Sequence, residues 1–217
     1  MKKLFISILL FFLIIPIFAA DVNIFCSNKY SNHKKHYHEH YSLCYSTDIY
    51  CPEYVVWTLT ELEALAAEEA SNRSDDFTTC GESATKKDYA NSGYDKGHLC
   101  PSNDFDYTKE DSADTFRMCN MTPQTHAMNA GKWASLETFT HTLAKRYGHI
   151  DIIAGPVYIN STKLIAGKIR VPDGFFRIFY NKEAKFIECY LVSQENEQRT
   201  VSVEEIEELT GLKFEFL

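Results

Sequence analysis

The densest chemistry in the chain lies between residues 94 and 137. Tyr94-Asp95-Lys96-Gly97-His98-Leu99-Cys100-Pro101 sets a histidine between a glycine and a proline-terminated segment. That arrangement suits a strand end, where an imidazole is both rigid and reachable. Histidine titrates near neutrality, so a neutral His98 ring can take a proton from water at ordinary pH. His98 is therefore a general-base candidate, although a lone histidine is more often a hydrogen-bonded structural residue. A second segment adds oxygen ligands: Asn120-Met121-Thr122-Pro123-Gln124, then Asn129-Ala130-Gly131-Lys132-Trp133, then Leu136-Glu137. Asn129 falls at the start of an expected helix, with Glu137 two turns later. At 3.6 residues per turn a separation of eight leaves them roughly 80° apart around the axis, so both reach one site when Asn129 stands partly outside the helix. Oxygen ligands of this kind suit Mg²⁺, which keeps most of its waters and needs few protein contacts.

Asp95-Lys96-Gly97-His98 with Pro101, Asn120 with Pro123-Gln124, and then Asn129, Trp133 and Glu137 together resemble the DNA/RNA non-specific endonuclease family, with its ββα-metal finger. The likeness continues in order through Tyr41 to Trp57, Arg73 with Phe77, Gly155-Pro156-Val157-Tyr158, Ile169-Arg170-Val171-Pro172 and Ile206 to Leu212. It covers nearly all of the chain beyond residue 20, and the spaced combination is far more specific than any piece of it. The resemblance implies that His98 activates water and that Asn129 is the direct metal ligand. It also implies that Glu137 holds the metal's water shell and that Arg73 contacts the scissile phosphate. Lys96 stands where the family more often has arginine, so a bidentate contact becomes a point-charge contact. Tyr54 stands where a tryptophan is common. The implied activity is internal cleavage of DNA and RNA leaving 5′-phosphate ends, with Mg²⁺, or Mn²⁺ in its place, as cofactor.

The parts also suit phosphodiester hydrolysis on chemical grounds. His98 supplies the nucleophile, a proton-transfer contribution typically worth about 10² to 10⁴ in rate. A divalent ion stabilises the departing oxygen, and Arg73 shares the transition-state charge. Only backbone phosphate is addressed, so low sequence specificity is expected. Two other functions compete: a nuclease-like binding module without turnover, and a Cys/His hydrolase using one of the thiols. The joint presence of His98, Asn129 and Glu137 argues against the first, and sensitivity to alkylation instead of chelation would mark the second. Plainer readings also exist for single residues. Arg73 suits a solvated charge, Glu137 an exposed helix position beside a core face, and Asn120 and Gln124 suit backbone bracing better than catalysis. His33, His36, His38 and His40 look like a metal cluster, but without evident partner ligands a solvated, mobile N-terminal segment is the better expectation.

The elements that would position these groups follow from periodicity. Tyr41 to Tyr45 and Tyr54 to Leu59 read as strands. Thr60 with Glu63 is a capping box opening a helix over about Glu61 to Ala70. A polar stretch, Ser71 to Ser92, reads as surface loop. Trp133, Leu136, Leu143 and Tyr147 form a helical stripe that Gly148 ends. Strands are expected at Asp151 to Ala154, Ile169 to Val171, Phe175 to Tyr180 and Phe186 to Val192. A last helix begins at Ser202 with Glu205 and stops at Gly211. The fold class is α+β: a mainly antiparallel central sheet with flanking helices and a ββα finger over Tyr94 to Tyr147 laid against it.

Composition agrees. Lys2 and Lys3, an apolar run from Leu4 to Phe18, and Ala19-Ala20 have the order of a secretory signal peptide, so residues 1–20 are expected to be removed and residues 21–217 to form one domain. The run is too short to span a bilayer, which needs roughly 20 residues, so stable membrane insertion is not expected and the protein should be secreted or periplasmic. With 45% hydrophobic and 24% charged residues the chain can bury a core. Without Lys2 and Lys3, 20 basic residues face 30 acidic ones, a net charge of −10. That excludes coating nucleic acid by bulk attraction but not a local cationic site. All seven cysteines follow the leader, so disulfides are plausible and at least one thiol is left over. Cys44 with Cys51, and Cys100 with Cys119, are the suggested pairs. No C-x-x-C spacing points to structural zinc. A homodimer and a protein inhibitor are both compatible with the sequence.

Overall fold

The computed structural model describes residues 20–69 and 72–217. The expected leader lies outside the described residues except for Ala20. The first strands are β1 (Val22–Phe25), β2 (His33–Tyr37), β3 (Tyr41–Ser46) and β4 (Cys51–Thr60), followed by helix α1 (Glu61–Glu69). Then come β5 (Asp95–His98), α2 (Lys109–Thr115), β6 (Met121–Gln124), the single turn α3 (His126–Met128) and the long α4 (Ala134–Tyr147). The chain continues through β7 (His149–Val157), the short β8 (Leu164–Ile165) and β9 (Ile169–Arg170), β10 (Gly174–Asn181) and β11 (Phe186–Ser193). It ends with β12 (Gln198–Val201), α5 (Val203–Thr210) and β13 (Lys213–Phe216).

Seven strands make one antiparallel sheet of order β12-β11-β10-β7-β4-β3-β2. The middle strands β4, β7 and β10 are buried on both faces. This is why Ile150 to Ala154 is a nearly unbroken apolar run: each successive side chain meets a packed layer, not water. One face, including Leu43, Trp57, Ile152 and Phe179, packs on Leu99, Phe105, Met128, Leu136 and Leu143. The other face, with Tyr54, Ile153 and Phe176, is covered by Ile206 of α5 and by Ile24 and Phe214 of the paired β1 and β13. The expected α+β class is therefore the observed one, with the finger on one side of the sheet and the two chain ends on the other.

The finger itself is the β5–β6 pair followed by α4. Gly97 is required there, because a Cβ at this position would meet the Gln124 side chain at 2.0 Å. Leu136, Thr140, Leu143 and Ala144 form the buried stripe of α4, and Gly148 closes it with φ 84°. Thr60 and Glu63 form the reciprocal cap of α1, since each backbone N–H is satisfied by the other's side chain at 2.9 and 3.2 Å.

Three expectations are corrected. The histidine-rich segment is no mobile tail: His33–Tyr37 is the edge strand of the main sheet, paired with β3 from His33↔Ser46 to Tyr37↔Ser42. The disulfides are Cys26–Cys44 and Cys80–Cys119, with Cys51, Cys100 and Cys189 free and buried. Cys51 faces Ser46 across the hairpin while Cys44 faces Tyr54, so those two sulfurs belong to different packing clusters. Cys100 is tied to the next segment not by sulfur but by Asn120, whose side chain bonds its N–H at 3.0 Å and its carbonyl at 2.8 Å. The polar stretch after α1 also carries structure, a short turn Lys86–Tyr89 capped by Thr85 and Asp88 and a bridge from Thr78 to Arg117.

A buried polar cluster pins α4 to the sheet. Asp104, fully buried, accepts from the Trp57 indole at 2.8 Å and faces His141 Nε2 at 3.0 Å. Burial opposes charge on His141, yet the hydrogen bond and charge of Asp104 prevail and hold its pKa above the usual value. Stabilisation from this protonated pair is therefore complete below the unfolded value of about 6.5 and is lost as pH rises through the folded one. Thermal unfolding of the parent and His141→Gln across pH 6 to 9, a range set about that value, should show a difference that is largest at the acid end and narrows with rising pH. A difference that widened would refute the assignment.

Candidate active site

His98 ends β5 with its ring in an aromatic cradle, 4.6 Å from the Phe116 centroid and 6.0 Å from that of Phe77. The same two rings carry the nearest cations. The Arg73 guanidinium lies over Phe116 at 5.0 Å and the Lys96 ammonium over Phe77 at 4.7 Å. Arg73 is further held by Ser102 Oγ at 2.8 Å and Asp75 at 3.3 Å. Burial first, and then the charges of Arg73 and Lys96, push the His98 pKa down to about 3, so the imidazole is neutral. His98 Nε2 is buried and has no hydrogen-bond partner among the described residues. A buried ring nitrogen without a partner is costly unless something else meets it.

The backbone that carries His98 is fixed from two directions. The Trp133 indole donates to the His98 carbonyl at 3.0 Å, and Asn120 clamps the residues after it. Asn120 also donates to the Thr115 carbonyl at 2.9 Å, the bracing role expected for it. Gln124 donates to the His98 carbonyl at 3.4 Å.

Asn129 opens a wide five-residue turn, Asn129–Trp133, kinked at Gly131 before α4 begins. Its Nδ2 donates to Asp95 Oδ2 at 3.0 Å, and the same oxygen faces His126 Nδ1 at 2.9 Å. Its nitrogen is thus committed, and Oδ1 has no protein hydrogen-bond partner among the described residues. An oriented carbonyl oxygen on an anchored carboxamide fits a hard divalent cation such as Mg²⁺. Glu137 stands half-buried on α4, with Oε1 3.9 Å from Arg177 Nη2. Burial first raises the Glu137 pKa to about 7, against the opposing pull of Arg177 and Arg73. Thus Arg73, Lys96 and His98 share one cradle, and the Arg73 charge is felt by both His98 and Glu137. Asn129 is held instead at the start of β5 by Asp95, and no hydrogen bond joins it to His98 or Glu137 among the described residues. Two surface depressions, of about 250 and 260 Å³, lie elsewhere, around Gly174 and Arg199 and along β1 to β3. Half of the Arg73 side chain is open to solvent, which suits contact with a polymer better than enclosure of a small molecule.

The sequence reading missed Arg177. It is fully buried, stacked 4.1 Å from the Trp133 ring and 5.7 Å from that of Trp57, and it donates to the Leu99 carbonyl at 3.2 Å. Its Nε and Nη1 have no partner among the described residues. The signal was present: one arginine inside Phe175-Phe176-Arg177-Ile178-Phe179 needs a buried counter-charge. Arg177→Ala should lower stability by about 3 kcal/mol, because it empties the stack and leaves Glu137 unopposed. Urea denaturation measures this, and a loss below about 1 kcal/mol would mean that the stack and pair contribute little.

Comparison with known proteins bears on the family and the fold. A mitochondrial human Endonuclease G is 28% identical over 203 residues, covering 81% of this chain and 67% of the relative. A nuclease of Nostoc sp. is 36% identical over 142 residues, 64% of this chain and 51% of its own, and the mitochondrial nuclease of Saccharomyces cerevisiae is 34% identical over 139 residues, 61% and 42%. The chain thus matches about half the length of those last two relatives. In a crystal structure of the EndoG/EndoGI complex, one chain superposes with a TM-score of 0.73 at 22% identity, covering 82% of this chain and 84% of that one, which shows a shared fold. The sequence model described as DNA/RNA non-specific endonuclease matches residues 21–216, so this chain belongs to the DNA/RNA non-specific endonuclease family.

Proposed function

We propose that the protein is a secreted, metal-dependent endonuclease that hydrolyses phosphodiester bonds in both DNA and RNA with low sequence specificity. The observation that carries this reading is the buried, unpartnered Nε2 of His98 in an aromatic cradle whose two rings each carry a cation. Family membership and the nuclease relatives support the substrate class. In solution a cationic pair beside a neutral imidazole has one natural guest, an anion that brings a water with it.

The His98 imidazole accepts the proton of the attacking water. In the free site Arg73 and Lys96 oppose a proton on His98, and a bound phosphodiester anion cancels their charge. His98 basicity therefore rises when substrate arrives. Arg73 shares the growing charge on the phosphate, Lys96 adds a point charge in place of a fork, and Asp95 holds the Asn129 carboxamide in its ligating orientation. Asn129 Oδ1 would hold Mg²⁺ and the Glu137 carboxylate would accept from the waters around it. When bound, the ion supplies Lewis-acid stabilisation of the phosphate and of the leaving oxygen. None of these groups addresses a base or the 2′ position, so DNA and RNA are both substrates. Products carry 5′-phosphate ends.

Among the described residues no helix is long and apolar enough to cross a membrane. The leader-like residues 1–20 and the two disulfides support export to an oxidising compartment, secreted or periplasmic. The EndoG/EndoGI complex, whose subject is EndoG inhibition, makes a protein inhibitor a reasonable partner here as well.

Plasmid and total RNA incubated with the purified mature chain across a Mg²⁺ series should both be cut internally, and a chelator should stop both reactions. His98→Ala should lower kcat by about 10² to 10⁴ while leaving the fold intact, the range a lost general base gives. Asn129→Ala should raise the Mg²⁺ requirement or abolish cleavage. Full activity in His98→Ala, or cleavage indifferent to chelator and blocked by thiol alkylation, would refute the mechanism.

A further inference from the structure

Three aromatic rings beside β5 each carry a cation, and the third lies outside the cradle of His98. Alternation along an extended chain sets Tyr94, Lys96 and His98 on one side and Asp95 and Gly97 on the other. The contacts follow that division. Asp95 turns to Asn129 and His126, and Gly97 lies against Gln124, whereas Lys96 and His98 both meet the Phe77 ring. Tyr94 packs on the same apolar cluster as Phe77, a cluster built on Met121, Ile165 and Ile169 among others. Over the Tyr94 ring stands Lys163, its Nζ 4.7 Å from the centroid and donating to the phenol oxygen at 2.9 Å.

Lys163 is anchored at both ends. Its carbonyl accepts from the Val171 N–H at 2.9 Å, just before the β8–β9 hairpin, whose Ile165 and Ile169 are buried in that cluster. The Tyr94 hydroxyl holds the far end of the side chain, so less rotamer freedom is left to lose when an anion arrives. Its charge is unanswered. Lys86 is paired with Asp76 at 3.1 Å and Lys168 with Asp88 at 2.9 Å, but no carboxylate pairs with Lys96 or Lys163 among the described residues. In a chain of net charge −8, two such cations on neighbouring aromatic floors make a local field of the opposite sign. Side chains two apart along a strand stand about 6.8 Å from each other, comparable to the separation of adjacent phosphates on one nucleic-acid strand. The ring beneath each ammonium also keeps water from one side of it, which strengthens its attraction for an anion above.

We propose that Lys163, seated on Tyr94, is a subsite for the phosphate next to the scissile one on the same nucleic-acid strand, with Lys96 between the two. This rests on the reading that places the scissile phosphate at His98 and Arg73. One anion then occupies the His98 cradle and a second lies one step back along β5, above Tyr94. The added contact addresses charge and not a base, so it lengthens the footprint on the strand without adding sequence preference. It also favours a strand over an isolated diester, because holding the second phosphate fixes the register of the first against His98.

Lys163→Gln keeps the stem and removes the charge. On single-stranded DNA at low salt it should raise KM about 5-fold, the upper end for one exposed ion pair, in an effect carried by KM and not by kcat. The slope of log KM against log salt should fall by about 0.7, the share of one phosphate contact on a single strand. Lys168→Gln, in the same hairpin but already paired with Asp88, should do neither. Trinucleotides in which one of the two linkages is an uncharged methylphosphonate test the neighbour directly. In one of the two arrangements the parent should cut the remaining bond about 5-fold less efficiently than in the unmodified trimer, and Lys163→Gln should erase that difference. A parent that cuts nucleic acid while Lys163→Gln keeps the parental KM and salt slope overturns the subsite alone. So does Lys168→Gln reproducing the whole effect, since bulk charge would then account for it. A parent that cuts neither DNA nor RNA removes the underlying reading, and the subsite with it.

Discussion

Arg177 is the constraint around which the molecule is arranged. A full positive charge with no exposed surface costs several kcal/mol unless its surroundings compensate it. The compensation comes from four parts of the chain: Trp57 on β4, the Leu99 carbonyl just after β5, Trp133 where α4 begins, and Glu137 one turn along α4. Each contact fixes a different edge of the finger against the sheet. A displaced finger would leave the guanidinium unpaired, so the charge selects one docking of the finger over others that would bury a similar apolar area. The same contacts place Glu137, and Trp133 in turn holds the His98 carbonyl.

That arrangement explains how an acidic protein can gather a local pair of cations. The overall charge is −8, yet Arg73 and Lys96 stand on aromatic faces beside a buried imidazole, where their fields are screened less than at an open surface. The cost appears on His98, whose proton affinity falls, and on Glu137, whose burial raises its own. Two groups with ordinary values far apart from those of the folded site are a mark of functional environments, although buried structural pairs shift in the same way. Here the geometry separates the two cases. Asp104 and His141 satisfy each other, whereas His98 Nε2 has nothing to satisfy it among the described residues.

Much of this was readable in the sequence because it rests on local rules. The caps Thr60–Glu63 and Ser202–Glu205, the stops at Gly148 and Gly211, and the buried stripe of α4 depend on neighbours within a few residues. Asn120 as a brace was readable for the same reason, a buried carboxamide in a tight turn. What failed to show depends on partners far along the chain. β1 pairs with β13, Val22 against Phe216, and nothing in either four-residue segment specifies the other. The histidine segment looked solvated because several of its side-chain partners, Asp111, Asp114 and the Cys80–Cys119 pair, follow it by 40 residues or more. Cysteine spacing misled for a related reason: proximity along a hairpin says nothing about which face a sulfur occupies.

Arg177 failed to show for a different reason. A strand of aromatic residues reads as core at every position, and an arginine inside it looks like an interruption. Alternation resolves it: Phe175, Arg177 and Phe179 share the face that meets the finger, while Phe176 and Ile178 face α5 and the paired termini. A charge on the inner face of a three-layer structure must be answered by the covering layer, and the covering layer is the segment that carries His98, Asn129 and Glu137. The odd residue in the strand therefore pointed, through the requirement for compensation, at the element that carries the proposed catalytic groups.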